Sequence, residues 1–121
     1  MSKIDPRAKL MSEADLQAAI VELAQRTGWT VDFVPDWFWR LAFASMKRQR
    51  RGNRQWSPPG KPDLTLLRPG KLVFIELKSE RGRLRPPQQE WLDLLKTVPG
   101  VEAHVLRPRH WFDGTVDRIL T

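Results

Sequence analysis

Two apolar runs, Asp63 to Leu67 and Leu72 to Leu77, stand on either side of the tetrapeptide Arg68-Pro69-Gly70-Lys71. A Pro-Gly pair in so short a link reverses the chain, so the runs are expected to pair as neighbouring antiparallel strands. That hairpin limits which side chains can meet. Alternation along a strand puts Glu76 and Lys78 on one face and Leu77 on the other. Asp63 opens the first run, directly after Gly60-Lys61-Pro62, and the hairpin carries its carboxylate towards Glu76. Two acids and a lysine thus gather at one place on the pair.

The flanking segments predict the layers that cover such a hairpin. Ser12 with Asp15 matches a capping box, and Leu16, Ala19, Ile20, Leu23 and Ala24 recur at helical spacing until Gly28. Trp29 to Val34 alternates as a half-buried strand does, and Pro35 ends it. The segment from Asp36 to Met46 is compatible with either a short helix or a strand. After the hairpin, Pro86 and Pro87 suit a helix's first turn, and Trp91, Leu92, Leu94, Leu95 and Val98 form an apolar stripe closed by Pro99-Gly100. Val101 to Leu106 reads as a further strand, and Trp111 to Leu120 as a short helix or turn. The expected class is α/β, in the order α-β-β-β-α-β.

Composition narrows the chemistry. The chain has 121 residues, enough for one core, and residues 1–121 are expected to form a single domain. With no cysteine, disulfides, thiolate metal sites and cysteine nucleophiles drop out, and any metal must sit on oxygen or imidazole. No apolar run approaches the ~20 residues that span a bilayer, and the charged N-terminus does not resemble a signal peptide, so a cytoplasmic protein without membrane partners is expected. The formal charge of +7 favours a polyanionic partner such as nucleic acid.

Carboxylates are hard ligands suited to Mg²⁺ or Mn²⁺, and magnesium takes only one or two of them beside waters and a substrate phosphate. Asp63 and Glu76 supply that minimal set, with Lys78 placed to position a water or to offset charge growing on a phosphate. A Glu and a Lys two apart on an exposed strand are otherwise only a surface ion pair. Context favours the site: Val73-Phe74-Ile75 is fully apolar and leads into the pair, and Pro62-Asp63 stands one hairpin upstream.

Pro62-Asp63, Phe74-Ile75-Glu76-Leu77-Lys78, Gly82-Arg83-Leu84 and Gln88-Gln89-Glu90-Trp91-Leu92 occur in this order, and together they resemble the VRR-NUC branch of the PD-(D/E)XK nucleases. The resemblance implies a restriction-endonuclease-like core with a mixed sheet flanked by helices, a Mg²⁺ or Mn²⁺ cofactor, and endonuclease action on branched or Holliday-junction DNA by a homodimer in a bacterial or phage-infected cell. It also implies that Asp63 and Glu76 bind metal, that the Leu77 carbonyl adds a ligand, that Lys78 is the catalytic lysine, and that Gln88 matches the family's glutamine. The family carries an acid on its first helix, where Glu13 and Glu22 compete. At about 100° per residue Glu13 falls on the side of Ile20 and Ala24, and Glu22 falls opposite, which selects Glu13. A basic and aromatic insertion at about 36–59 is less typical of the family.

Lys47, Arg48, Arg50, Arg51 and Arg54 precede Gln55 and Trp56, joining cations that seek phosphates to an aromatic able to stack on an unpaired base. Arg81, Arg83 and Arg85 follow the Glu76 strand at once, and Lys61 precedes Asp63, so these four are expected to hold the phosphate backbone beside the cut. Trp91 is expected in the core, Trp37 and Trp39 at a dimer contact, and His104 and His110 in structural roles. A non-catalytic nucleic-acid-binding module on the same fold is the alternative, and a basic domain that binds acidic protein partners is a second.

Overall fold

The computed structural model describes residues 3–33, the Phe33 side chain aside, and residues 60–121. Helix α1 spans Glu13–Arg26 and begins where the sequence predicts: Ser12 Oγ accepts from the Asp15 N–H, and Asp15 Oδ2 accepts from the Ser12 N–H. Strand β1, Thr30–Phe33, follows at once, and the chain is described again from Gly60. Strands β2, Leu64–Arg68, and β3, Lys71–Leu77, form the expected hairpin, with Gly70 at a φ of 76° in its turn, the left-handed region that glycine enters without a Cβ clash. Helix α2, Pro86–Leu95, leads to β4, Val101–Leu106, and the chain closes with α3, Pro108–Phe112, and α4, Thr115–Leu120. A short 3-10 helix, Pro6–Leu10, precedes α1. It was foreshadowed by Asp5-Pro6, a capping residue before a proline, but sequence reading passed over it.

The four strands lie in the order β1-β2-β3-β4, with β4 parallel to β3 and the other pairs antiparallel, so the sheet is mixed and helix-flanked as expected. Alternation sends Leu64, Leu66, Val73, Ile75, Leu77 and Leu106 to one face, where Leu16, Ile20 and Ala24 of α1 and Val116, Ile119 and Leu120 of α4 complete the core. Ala103, paired with Phe74, turns to the opposite face, and α2 packs against β4 with Leu92 buried. Leu94 and Val98, read from sequence as part of the α2 stripe, are 67% and 47% exposed. Among the described tryptophans the buried one is Trp29, not Trp91, which is only half-buried. Trp29 donates from Nε1 to the Leu120 carbonyl at 3.0 Å, and the Arg68 guanidinium lies 4.2 Å over its ring. Among the described residues no helix is long and apolar enough to cross a membrane.

Candidate active site

The site follows from the hairpin register. Leu64 pairs with Ile75, so one step further along the ladder sets Asp63, the residue just before β2, opposite Glu76. The parity that sends Ile75 and Leu77 into the α1 core sends Glu76 and Lys78 to the other face. There Glu76 also neighbours Val105 of β4 and is left 2% exposed. A carboxylate loses its hydration in such a place.

Three residues pin Asp63 from the other side. Its Oδ2 accepts from the Leu77 N–H at 2.8 Å, tying the carboxylate to the β3 backbone beside Glu76. Pro62 and Gly60 are buried, and Gly60 fits only because it lacks a side chain: a Cβ there would fall on the Pro87 carbonyl and 2.8 Å from Trp91 Cδ1. The segment that delivers Asp63 therefore rests on the first turn of α2.

Glu76 shows what the cluster does electrostatically. Its carboxyl is pushed up to about 9, first by burial, then by a hydrogen bond with Asp63 and by the charges of Asp63 and Glu13, with only Lys78 opposing. Four side chains from α1, the β2 lead-in and β3 thus share one field. Glu76 Oε1 is also the buried side-chain polar atom without a hydrogen-bond partner among the described residues. A buried carboxyl with one oxygen unpartnered among the described residues and a second carboxylate beside it is a poor way to stabilise a fold and a good way to hold a cation.

Among the described residues no three acidic or imidazole side chains form a ready-made cage. The donor set is instead two carboxylates in contact, Asp63 and Glu76, with Glu13 near enough to act through its charge. That set fits a hard divalent ion which keeps waters and open positions for substrate. Of the two acids of α1, Glu13 acts on Glu76 through its charge, whereas Glu22 pairs with Arg26 at 3.5 Å, and both line a groove of about 450 Å³ with Leu23 and Trp111.

Gln88 is 9% exposed at the start of α2, where its Oε1 accepts from the Arg85 N–H at 2.8 Å; among the described contacts it bonds neither carboxylate. Arg81, Arg83 and Arg85 are exposed on the link from β3 to α2, and Lys61 is exposed before Asp63. Among the described residues these four cations form no ion pair, which leaves their charge facing solvent. Lys47, Arg48, Arg50, Arg51 and Arg54 lie outside the described residues, as do Trp37 and Trp39. His104 bonds Glu102 at 3.0 Å and His110 Nδ1 accepts from the Arg107 N–H at 2.8 Å, both local structural contacts.

Sequence reading missed the packing around the link itself. Arg107 Nη1 donates to the carbonyls of Ser79, Glu80 and Gly82 at 2.8, 3.5 and 2.6 Å, and Arg109 binds the Glu80 carboxylate. Contacts that join residues 25 to 29 apart leave no local pattern in a sequence.

Comparison with known proteins identifies the family and the fold. The VRR-NUC domain family matches residues 11–110, a span that holds Glu13, Asp63, Glu76, Lys78 and Gln88. A solved structure described as a VRR_NUC domain protein superposes with a TM-score of 0.57 at 18% identity, over 91% of this chain and 83% of that one, which shows a shared fold. No curated protein matches the chain. The family match spans most of the sequence and the acid-lysine cluster falls inside it, so the chain belongs to the VRR-NUC domain family, whose members are nuclease-like and interact with nucleic acid.

Proposed function

We propose that this protein is a Mg²⁺- or Mn²⁺-dependent endonuclease that hydrolyses phosphodiester bonds in DNA, with branched or junction DNA as its preferred substrate and a homodimer as its working form. The observation that carries the catalytic reading is Glu76: buried, raised to about 9, with an oxygen that has no hydrogen-bond partner among the described residues, and in contact with Asp63 beside Lys78. The preference for branched DNA and the dimer rest on the family resemblance. Paired cuts in a four-way junction need two sites related by a two-fold axis.

Asp63 and Glu76 would hold the ion with their carboxylate oxygens, and the Leu77 carbonyl is the natural third protein donor. When bound, the ion polarises the scissile phosphate and acidifies the attacking water. The Leu77 N–H keeps Asp63 in place throughout. To act as a ligand Glu76 would have to be the carboxylate, its proton passing to solvent. Lys78, on the same face as Glu76, sets its ammonium beside the phosphate oxygens, where charge grows as the water oxygen bonds to phosphorus and the P–O ester bond breaks. Glu13 adds negative charge that favours the cation. Lys61, Arg81, Arg83 and Arg85 grip the flanking phosphates, and Lys47, Arg48, Arg50, Arg51 and Arg54 extend that grip. Gln88 fixes the start of α2, against which the Asp63 segment rests.

The test is cleavage of labelled junction, flap, single-stranded and duplex DNA with and without Mn²⁺, together with Asp63→Ala, Glu76→Ala and Lys78→Ala. Each variant is expected to lose at least about 10²-fold in rate while gel-shift affinity for the junction holds. Full activity in any of the three rejects the assignment. Calorimetry with Mn²⁺ that shows no uptake dependent on Asp63 and Glu76 would instead indicate a non-catalytic binding module.

A further inference from the structure

The corner where β4 meets α3 reaches the site through the backbone of Lys78 and of the link that follows it. Leu106, the last residue of β4, accepts the Lys78 N–H at its carbonyl at 3.0 Å. The next residue, Arg107, turns its guanidinium into the link: Nη1 lies 2.8 Å from the Ser79 carbonyl, 2.6 Å from that of Gly82 and 3.5 Å from that of Glu80. One cationic nitrogen faces three backbone oxygens, and the turn closes on itself through the Gly82 N–H, which donates to Ser79 O at 3.2 Å. Arg109 adds a second grip, its N–H donating to Glu80 Oε2 at 2.6 Å and its Nε to Glu80 Oε1 at 2.9 Å.

This turn reaches Lys78 directly. A Cβ placed on Gly82 would lie 3.0 Å from Ser79 Oγ and 3.5 Å from Lys78 Cδ, so the Gly82 backbone forms the wall along which the lysine stem runs. The same turn carries Arg81, exposed, and hands the chain on to Arg83. Whatever holds residues 79–82 therefore aims both the ammonium of Lys78 and the first phosphate-seeking arginines.

We propose that Arg107 is a positioning residue for Lys78 and the Arg81–Arg83 link: by binding the carbonyls of Ser79, Glu80 and Gly82 it holds the turn that aims the lysine at the reacting phosphate. The proposal rests on the nuclease reading above. Arg107 acts through the turn and touches no reacting atom. Its loss frees the turn, and a lysine displaced by an ångström loses transition-state contact far more than ground-state binding.

The experiment compares Arg107→Gln, Arg107→Lys and, as a control, Arg68→Gln under steady-state cleavage well below every melting point. Arg68 makes a similar guanidinium clamp, on the carbonyls of Leu120 and Thr121, remote from the site. Arg107→Gln is expected to lower kcat by about 10- to 100-fold with KM changed by no more than about twofold. Arg107→Lys, which keeps one cationic donor, recovers part of that loss even if the glutamine variant folds poorly. Arg68→Gln lowers Tm and leaves kcat unchanged. Hydrogen exchange gives a readout without turnover: amides 79–83 should exchange faster in Arg107→Gln than in the parent. Parent cleavage with unchanged kcat in Arg107→Gln, equal losses in the Arg68 control, or unchanged exchange at 79–83 each overturns the positioning role alone. A parent protein that cleaves no DNA overturns the nuclease reading and this role with it.

Discussion

Glu76 combines three features that ordinary folding selects against in one side chain: near-complete burial, a carboxylate neighbour and an oxygen without a donor among the described residues. In the folded chain burial and Asp63 keep its proton on up to about 9, whereas the unfolded chain releases it near the ordinary value of 4.5. Between those values the native state binds more protons than the unfolded one, so this residue makes stability fall as pH rises through the window. Replacing it with glutamine removes the ionisation and keeps the shape. Glu76→Gln should therefore melt higher than the parent at mildly alkaline pH in the presence of a chelator, by about 1–3 kcal/mol, the cost of one unsatisfied buried group. The gap should close as the buffer approaches 4.5, where both states hold the proton. Thermal melts across pH measure this, and a gap that widens on acidification would contradict it.

At the scale of elements, the site depends on how β2 is delivered to β3. Asp63 is placed by the hairpin register, by the Leu77 N–H and by the bed that the start of α2 makes for Gly60. Gly60→Ala puts a methyl onto the Pro87 backbone carbonyl, which cannot swing aside as a side chain would. We expect a destabilisation of about 1–3 kcal/mol by overpacking. Cleavage should fall further than the lost stability explains, because the displaced segment is the one that holds Asp63. Denaturant midpoints set beside single-turnover rates separate the two effects, and a variant with parental midpoint and rate would show that the contact between α2 and the Gly60 segment is slack. The hairpin was legible in the sequence because Pro69-Gly70 between two apolar runs is a local signal. The exposure of Leu94 and Val98 was not, since an apolar stripe on a helix is visible in sequence while the surface that covers it, or leaves it open, is not.

At the scale of the whole molecule, the formal charge of +7 becomes useful only where it gathers. Lys61 stands exposed two residues before Asp63, and Arg81, Arg83 and Arg85 stand exposed on the link that follows Lys78; among the described residues no carboxylate pairs with them. Each phosphate they neutralise releases counterions, so affinity should fall steeply with salt. Replacing Arg81, Arg83 and Arg85 together by alanine should flatten the slope of log Kd against log salt by about 2 to 3 on duplex arms, at about 0.9 per phosphate contact. Binding should weaken similarly across DNA sequences, because such contacts carry little base information. Fluorescence anisotropy over a salt series measures it, and an unchanged slope would place the DNA elsewhere on the surface.

Local pattern alone determined the helix from its Ser12 cap, the hairpin, the strand at 101–106 and the face shared by Glu76 and Lys78, because each depends on residues a few positions apart. It also placed Asp63 within one residue of β2 and chose Glu13 over Glu22 by helical angle. Tertiary structure alone decided the rest. It made Glu76 a buried acid with an oxygen unpartnered among the described residues, put Trp29 rather than Trp91 in the core, set Gly60 on α2, and turned Arg107 onto the carbonyls after Lys78. The physical reason is common to all four. Burial and long-range hydrogen bonds depend on which distant surfaces meet, and neither spacing nor composition records that meeting.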